Sequence, residues 1–316
     1  MPVSQAPAQQ QHQRPKAGSG ILLLDKPQGL TSHDVVARTR RLAGTRKVGH
    51  AGTLDPMATG LLVLGLNSST RLLTYLVGLD KEYTATIRLG AATVTDDAEG
   101  ETTATADPAL VAAIADEAVE AAIEPLRGDI EQVPSTVSAI KVDGKRAYAR
   151  AREGEDVQLA ARPVTIRAFA VLASRRVDGF LDLDVRVECT SGTYIRALAR
   201  DLGVALGVGG HLTALRRTRV GPFAVADAPE LADDLDVTER MLQPAAVAGA
   251  LFPTTRLDAE DALALSQGKR IRPDGLPETK GPIAILTPTG ALLGLAERRG
   301  DGLKVLVNFP SDEVAS

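Results

Sequence analysis

Cysteine and aromatic residues are scarce in this sequence: 316 residues include one cysteine, no tryptophan, four tyrosines and five phenylalanines. A lone cysteine, Cys189, excludes an internal disulfide and a cysteine-rich metal site. The four histidines, His12, His33, His50 and His211, are scattered without ligand spacing, so no metal is expected. No apolar run reaches the length of a membrane-spanning helix. Residues 1–19 are polar, rich in Gln, Pro and Ala, and lack the apolar stretch of a signal peptide; they read as a disordered tail. A reducing compartment, the cytoplasm, is the expected location. What remains is ordinary globular composition, 44% hydrophobic and 24% charged, with enough chain to bury a core without staples.

The net charge of −4 gives no general attraction for nucleic acid. Its distribution is uneven. Residues 96–131 carry eleven acids against one base, whereas 38–50 carry five bases and no acid. Nine bases and four acids fall in 141–176, and five bases and one acid in 196–219. Basic segments this separated can converge on one face and bind phosphates. From charge alone, a solvated mixed surface is the simpler account.

Periodicity outlines the elements. Residues 21–24 and 61–66 are apolar runs that read as buried strands, and 81–90 and 181–189 alternate as half-buried strands. Thr31 or Ser32 caps a helix with apolar positions Val35, Val36, Thr39 and Leu42, ending at Gly44. Residues 109–123 read as one Ala- and Glu-rich helix. Ile195, Leu198, Leu202 and Leu206 share a face of another, closed by Gly207, Gly209 and Gly210. Residues 224–250 read as a helical connection, and the texture beyond 252 as short strands joined by glycine turns. Strands and helices without a βαβ rhythm predict an α+β fold with a mixed, largely antiparallel sheet. The expected organisation is a catalytic domain over 20–250 and a small β-rich domain over 251–316.

The stretch GHAGTLDPMATGLL, residues 49–62, sets one carboxylate, Asp55, among glycines and a proline. Alone, Asp-Pro is an ordinary turn dipeptide. Pro56 restricts Asp55 to extended or turn geometry, and Gly49, Gly52 and Gly60 permit a tight backbone and close approach of a ligand. A carboxylate so placed can act as a nucleophile or a proton-shuttling base.

Together with LLLDKPQGLTS (22–32), KEYTATIRLGAATVTDDAEG (81–100), IEQVPSTVSAIKVDGKRAYARAREG (130–154) and SGTYIRALARDLG (191–203), this stretch closely resembles the TruB family of bacterial tRNA pseudouridine-55 synthases. The resemblance covers residues 20–225. It implies a cofactor-free isomerase that converts uridine 55 in the T loop of tRNA to pseudouridine. The N1–C1′ bond of the uridine breaks, the base turns over, and C5 joins C1′. Asp55 then matches the catalytic aspartate, and Arg196 its ion-pair partner. Tyr83 matches an active-site tyrosine that stacks on the flipped base.

The resemblance also places His50 near the space the flipped base leaves, and Lys26 and Pro27 beneath the active site. Asp97 is implied to contact RNA or hold its loop, with Asp96 as the competing residue. Leu215 is implied to line the uracil pocket. Tyr194 either touches the base or packs beneath Arg196. An insertion over about 130–162 is implied to clamp the T arm, with Lys141, Lys145, Arg146, Arg150 and Arg152 on phosphates. The C-terminal domain is implied to be a PUA-like variant, with LSQGKRIRP (265–273) as its weak signature. Partner-protein extensions of guide-RNA-dependent relatives are absent, so stand-alone action on tRNA, without guide RNA or obligate protein partner, and a monomer are expected.

Each residue has a plainer account: Tyr83 and Leu215 as core, Arg196 as a surface arginine at a strand–helix junction, and 141–154 as a solvated hairpin. Two other functions compete with the isomerase. A tRNA-binding folding helper would need the RNA surface but not Asp55. A carbohydrate hydrolase would ordinarily need a second motif carboxylate.

Overall fold

The computed structural model describes residues 16–135, 141–142, 145–146 and 159–309, with the side chains of 141–142 and 145–146 outside the description. The first strands are β1 (Gly20–Lys26), β2 (Val48–Ala51), β3 (Thr59–Leu66) and β4 (Lys81–Leu89). A ribbon of β5 (Ala91–Thr93) and β6 (Thr102–Thr105) precedes β7 (Gly128–Gln132) and the short pair β8 (Lys141–Val142) and β9 (Lys145–Arg146). Then come β10 (Arg162–Val177), β11 (Phe180–Cys189), β12 (Gly210–Val220) and β13 (Phe223–Ala224).

Among the described residues the main sheet runs β1-β3-β12-β4-β11-β10-β7, with β2 beside β3 and β13 beside β12. All its pairings are antiparallel except β3 with β12. This is the expected α+β fold with a mixed, largely antiparallel sheet.

Strict alternation gives the sheet two unlike faces. On β4, Tyr83, Ala85, Ile87 and Leu89 are buried, with Leu183, Val185 and Val187 of β11 beside them. The helix Ile195–Ala205 packs on this face through Ile195, Leu198 and Leu202. The other face is polar and closed by cross-strand charge pairs. Arg88 meets Asp182 at 2.7 Å, Arg186 meets Glu82 at 3.1 Å, and Arg175 pairs with Asp184.

The helix Ser32–Leu42 starts at Thr31 with a full capping box: Thr31 Oγ1 accepts from the Asp34 amide while the Asp34 carboxylate accepts from the Thr31 amide. It buries Val35, Val36, Thr39 and Leu42, as expected, and the chain turns away at Gly44 with φ 59°.

Four expectations need amendment. Residues 109–123 form two short helices, Pro108–Ala112 and Asp116–Ile123, not one. Arg176 of β10 donates to the carbonyls of Val111 and Ile114, so the break is satisfied from outside the segment. Within 224–250 only Val237–Arg240 and Pro244–Leu251 are α-helical, apart from a 3₁₀ turn at Val225–Asp227; the rest is largely irregular, with Glu230 and Leu242 bridged to Asp25 and Ile21 of β1. The ordered chain begins before residue 20. Ala17 is buried and its amide donates to Ala43, and the Asn67 side chain donates to the Ala17 and Gly18 carbonyls. The tail over residues 1–15 lies outside the described residues.

Finally, several bases of the charge-rich segments are spent internally. Arg167 pairs with Asp80, Arg216 with Asp25 and Arg219 with Glu188.

Beyond residue 252 the chain forms a four-stranded sheet, β14 (Thr254–Arg256), β15 (Ile283–Leu286), β16 (Leu292–Arg299) and β17 (Gly302–Asn308), with the helix Ala259–Ser266. Ala284, Leu292 and Leu295 share one apolar cluster with Ile21, Leu61 and Leu72, so this module and the main sheet bury a common core.

The parallel contact of β3 and β12 is tight. Gly60 has φ 101°, and a Cβ there would meet the Arg217 carbonyl at 2.3 Å. Gly60→Ala therefore combines a left-handed backbone with a backbone clash, and should cost about 2 kcal/mol or more in urea unfolding.

Candidate active site

The segment between β2 and β3 carries Asp55, and its backbone is held by side chains from three other elements. Ser32 Oγ, at the start of its helix, donates to the Leu54 carbonyl at 3.0 Å and accepts from the Leu54 amide at 2.9 Å. Lys26, at the end of β1 and fully buried, donates to the carbonyls of Leu30 at 2.6 Å and Pro56 at 3.3 Å. The Gly29 amide also donates to Pro56. Arg217 of β12, also buried, donates to Leu61 at 2.7 Å, Gly52 at 3.1 Å and Thr53 at 3.5 Å. Gly52, with φ 85°, lets the loop pass against Arg217 and Lys81.

Asp55 faces Arg196, the second residue of the helix Ile195–Ala205, with Nε 3.1 Å from Oδ2. The arginine is buried while 38% of the Asp55 side chain stays exposed, so the carboxylate remains reachable from solvent. Arg196 is itself held from behind. Its Nη1 lies 3.4 Å from Asp97 Oδ2 and donates to the Thr95 carbonyl at 2.8 Å. Asp97 Oδ1 accepts from Thr95 Oγ1 and the Glu99 amide, which fixes that carboxylate in turn. Asp96, with φ 58°, points elsewhere and meets Arg200 at 3.4 Å.

A cavity of about 250 Å³ opens beside this pair, lined by Asp55, Tyr83, Tyr194, Arg196 and Leu215. Five residues from distant parts of the sequence therefore share one pocket. Asp97 stands behind Arg196, and Lys26 lies under the loop. His50 does not line the cavity; it sits on β2, edge-on to His33 at 5.9 Å between ring centres. Burial, and then the charge of His33, lower the His50 pKa and favour its neutral form. Lys141, Lys145 and Arg146 lie on β8 and β9, and their side chains fall outside the described residues, as do Arg150 and Arg152 entirely.

Two cations of the pocket escaped the sequence reading, Arg217 and Lys81. Arg217 stands two residues after Leu215 in LRRTR, where nothing separates it from its neighbours except the alternation that turns it inward with Leu215. Its positive charge also opposes the upward pull of burial on the Tyr83 phenol. Lys81 opens the KEY motif, and its Nζ donates to Val77 at 2.9 Å and Leu79 at 2.6 Å. Among the described residues both cations bond to backbone carbonyls and not to carboxylates.

Burial lowers Lys81 to about 8, and Lys26 likewise to about 8 against the opposing charge of Asp55. A lysine with a depressed folded pKa binds its proton more weakly folded than unfolded, where the value is about 10.4. Unfolding thus takes up protons between these values, and stability rises with pH across that window. The urea midpoint of the wild type should therefore climb from about pH 8 to about pH 10 more steeply than that of Lys81→Met. Parallel slopes would show that Lys81 titrates normally.

Comparison with known proteins adds family context. The TruB family pseudouridylate synthase N-terminal domain matches residues 40–195. The tRNA pseudouridylate synthase B C-terminal domain matches 196–251, and the tRNA pseudouridine synthase II C-terminal domain matches 252–310. The tRNA pseudouridine synthase B of Leifsonia xyli subsp. xyli (strain CTCB07) is 61% identical over 94% of this chain and 99% of its own length. That of Arthrobacter sp. (strain FB24) is 58% identical over 93% and 98%. Among solved structures, an H/ACA RNP bound to a substrate RNA containing 2′-deoxyuridine holds a chain with TM-score 0.68 and 25% identity, matching 93% of this chain and 86% of that one.

Proposed function

The chain belongs to the TruB family of pseudouridine synthases, isomerases acting on tRNA uridine, and from that premise we propose that it converts uridine 55 of the tRNA T loop to pseudouridine through Asp55. The observation that carries this reading is the Asp55–Arg196 pair at 3.1 Å on the edge of a cavity lined by Tyr83 and Leu215. An aromatic ring, an aliphatic side chain and a carboxylate that solvent can reach are the groups an extruded pyrimidine nucleotide needs.

The reaction is an isomerisation. N1–C1′ breaks, C5–C1′ forms, the proton on C5 leaves, and N1 gains one. No electron is exchanged with any other molecule. Asp55 supplies its oxygen as a nucleophile at C1′ or the uracil ring, or as a base at C2′, and each route uses the ionised carboxylate. Arg196 fixes the direction of that carboxylate through a charge-assisted hydrogen bond. Tyr83 and Leu215 hold the base between an aromatic and an aliphatic surface.

The uridine must leave the stacked T loop before its C1′ is reachable, so base flipping belongs to the proposal. His50, outside the cavity, is assigned to the RNA side of the site. Exposed Arg41, Arg46 and Lys47, without carboxylate partners among the described residues, are suited to RNA phosphates. The insertion bearing Lys141, Lys145, Arg146 and Arg150 is assigned to the T arm, and the C-terminal β module to a PUA-like role. The H/ACA structure above is a ribonucleoprotein with its own RNA. Here the proposal is stand-alone action of a cytoplasmic monomer on tRNA, in keeping with the much closer bacterial relatives.

Incubation of the purified protein with an unmodified tRNA transcript, followed by pseudouridine mapping, tests the reading. Wild type should place pseudouridine at the T-loop position. Asp55→Asn should lose turnover by about four orders of magnitude or more while binding tRNA within about threefold of wild type. Tight binding without product from wild type would leave a tRNA-folding helper as the function.

A further inference from the structure

The helix that presents Arg196 to Asp55 starts without local capping. Its N-cap residue is Tyr194, which offers no side-chain cap bond, and its third position is Ala197. In a capping box a Glu or Gln at that third position reaches back to the N-cap amide; alanine cannot. The missing group comes from another strand. Gln132, the last residue of β7 and only 2% exposed, accepts from the Tyr194 amide through Oε1 at 2.8 Å. Its Nε2 donates to the Tyr194 carbonyl at 3.1 Å. One primary amide thus meets both polar groups of one backbone residue, which fixes its orientation and leaves neither backbone group unpaired.

A second bond ties the same strand end to the helix. Arg200, one turn beyond Arg196, donates to the Val133 carbonyl at 2.7 Å. Arg196 therefore lies between two attachments to residues 132 and 133, and Tyr194, whose backbone Gln132 grips, lines the cavity with Asp55. Helix ends fray unless their orphan groups are satisfied, and a displacement of the first turn moves both Tyr194 and Arg196.

We infer that Gln132 is a positioning residue for the isomerisation: it replaces the absent capping box and sets the approach of Arg196 and Tyr194 to the reacting nucleotide. It touches neither substrate nor Asp55 and acts through the Tyr194 backbone. This rests on the tRNA isomerase reading above.

The geometry supplies a selective test. Gln132→Glu keeps an acceptor for the Tyr194 amide but turns the second contact into one oxygen against another. Protonation restores a donor to the Tyr194 carbonyl. Single-turnover pseudouridine formation by this variant should fall by about tenfold or more at about pH 8 relative to wild type, and most of the loss should be recovered at about pH 6. Gln132→Met, of similar length and without either bond, should lose about tenfold or more at both pH values. Filter binding should give both variants wild-type tRNA affinity within about threefold, which places the loss in the chemical step and not in RNA capture.

Variant-to-wild-type ratios that do not change with pH for Gln132→Glu, wild-type turnover by either variant, or a loss confined to tRNA affinity would each overturn the inference. If Gln132→Met does not fold, the pH dependence of Gln132→Glu, read within one folded protein, decides it. Wild type is assayed in parallel: no product from wild type overturns the isomerase reading itself, whereas an active wild type with unaffected variants overturns only the role of Gln132.

Discussion

A loop fixes a carboxylate in space only when its backbone is captured from outside, because its own residues supply no repeating hydrogen bonds. The segment Gly52–Pro56 is captured at almost every residue, and the captors are side chains: Ser32 on Leu54, Arg217 on Gly52 and Thr53, Lys26 on Pro56. Each captor comes from a regular element whose position is set by the core. The sheet is in this sense an instrument for holding five residues still. Arg196 is fixed by the same principle from the other side, through Asp97 and the Thr95 carbonyl. The contact between Asp55 and Arg196 is the meeting of two separately anchored parts.

The choice of captors has an electrostatic consequence. Lys26, Lys81 and Arg217 are buried cations that bond to carbonyl oxygens, whose dipoles compensate charge only in part. The lysines show this as lowered pKa values. Beside a cavity meant for an anionic RNA segment, unneutralised positive charge is useful, since it favours the approach of a phosphate chain. Burying the same cations lowers the stability of the fold, a common bargain between stability and function.

Much of this was legible in the sequence, for identifiable reasons. Asp55, Tyr83 and Arg196 sit in contiguous motifs that carry the family resemblance, so their meeting in one pocket was expected, and the unbroken strand alternation around Tyr83 made its burial legible locally. The helix Ser32–Leu42 announced itself through Thr31, Asp34 and Gly44. Arg217 and Gln132 were not visible as functional groups because each acts on backbone groups far away in the chain, and no local pattern records that; Lys81 bonds to carbonyls only four and two residues back, and what the sequence hid was its burial beside the pocket. The split of 109–123 depends on Arg176, a residue of another strand. Charge counts were equally blind to pairing: Arg167, Arg216 and Arg219 counted as free bases until the fold set carboxylates against them.

The parallel contact of β3 and β12 has a further consequence, which concerns time. Arg217 reaches back across 156 residues to Leu61, and with it to the loop that carries Asp55. A chain made from its N-terminus at roughly 5–20 residues per second needs roughly 8–30 seconds to supply that arginine after Leu61 has left the synthetic machinery. Through that interval the first strands can pair with one another, but the loop lacks one of its captors and the central position of the sheet stands empty. Contacts of such sequence separation are the slow ones in folding. The active site is therefore among the last parts of the molecule to be finished, and a nascent chain cannot act on RNA until most of its catalytic domain has been made.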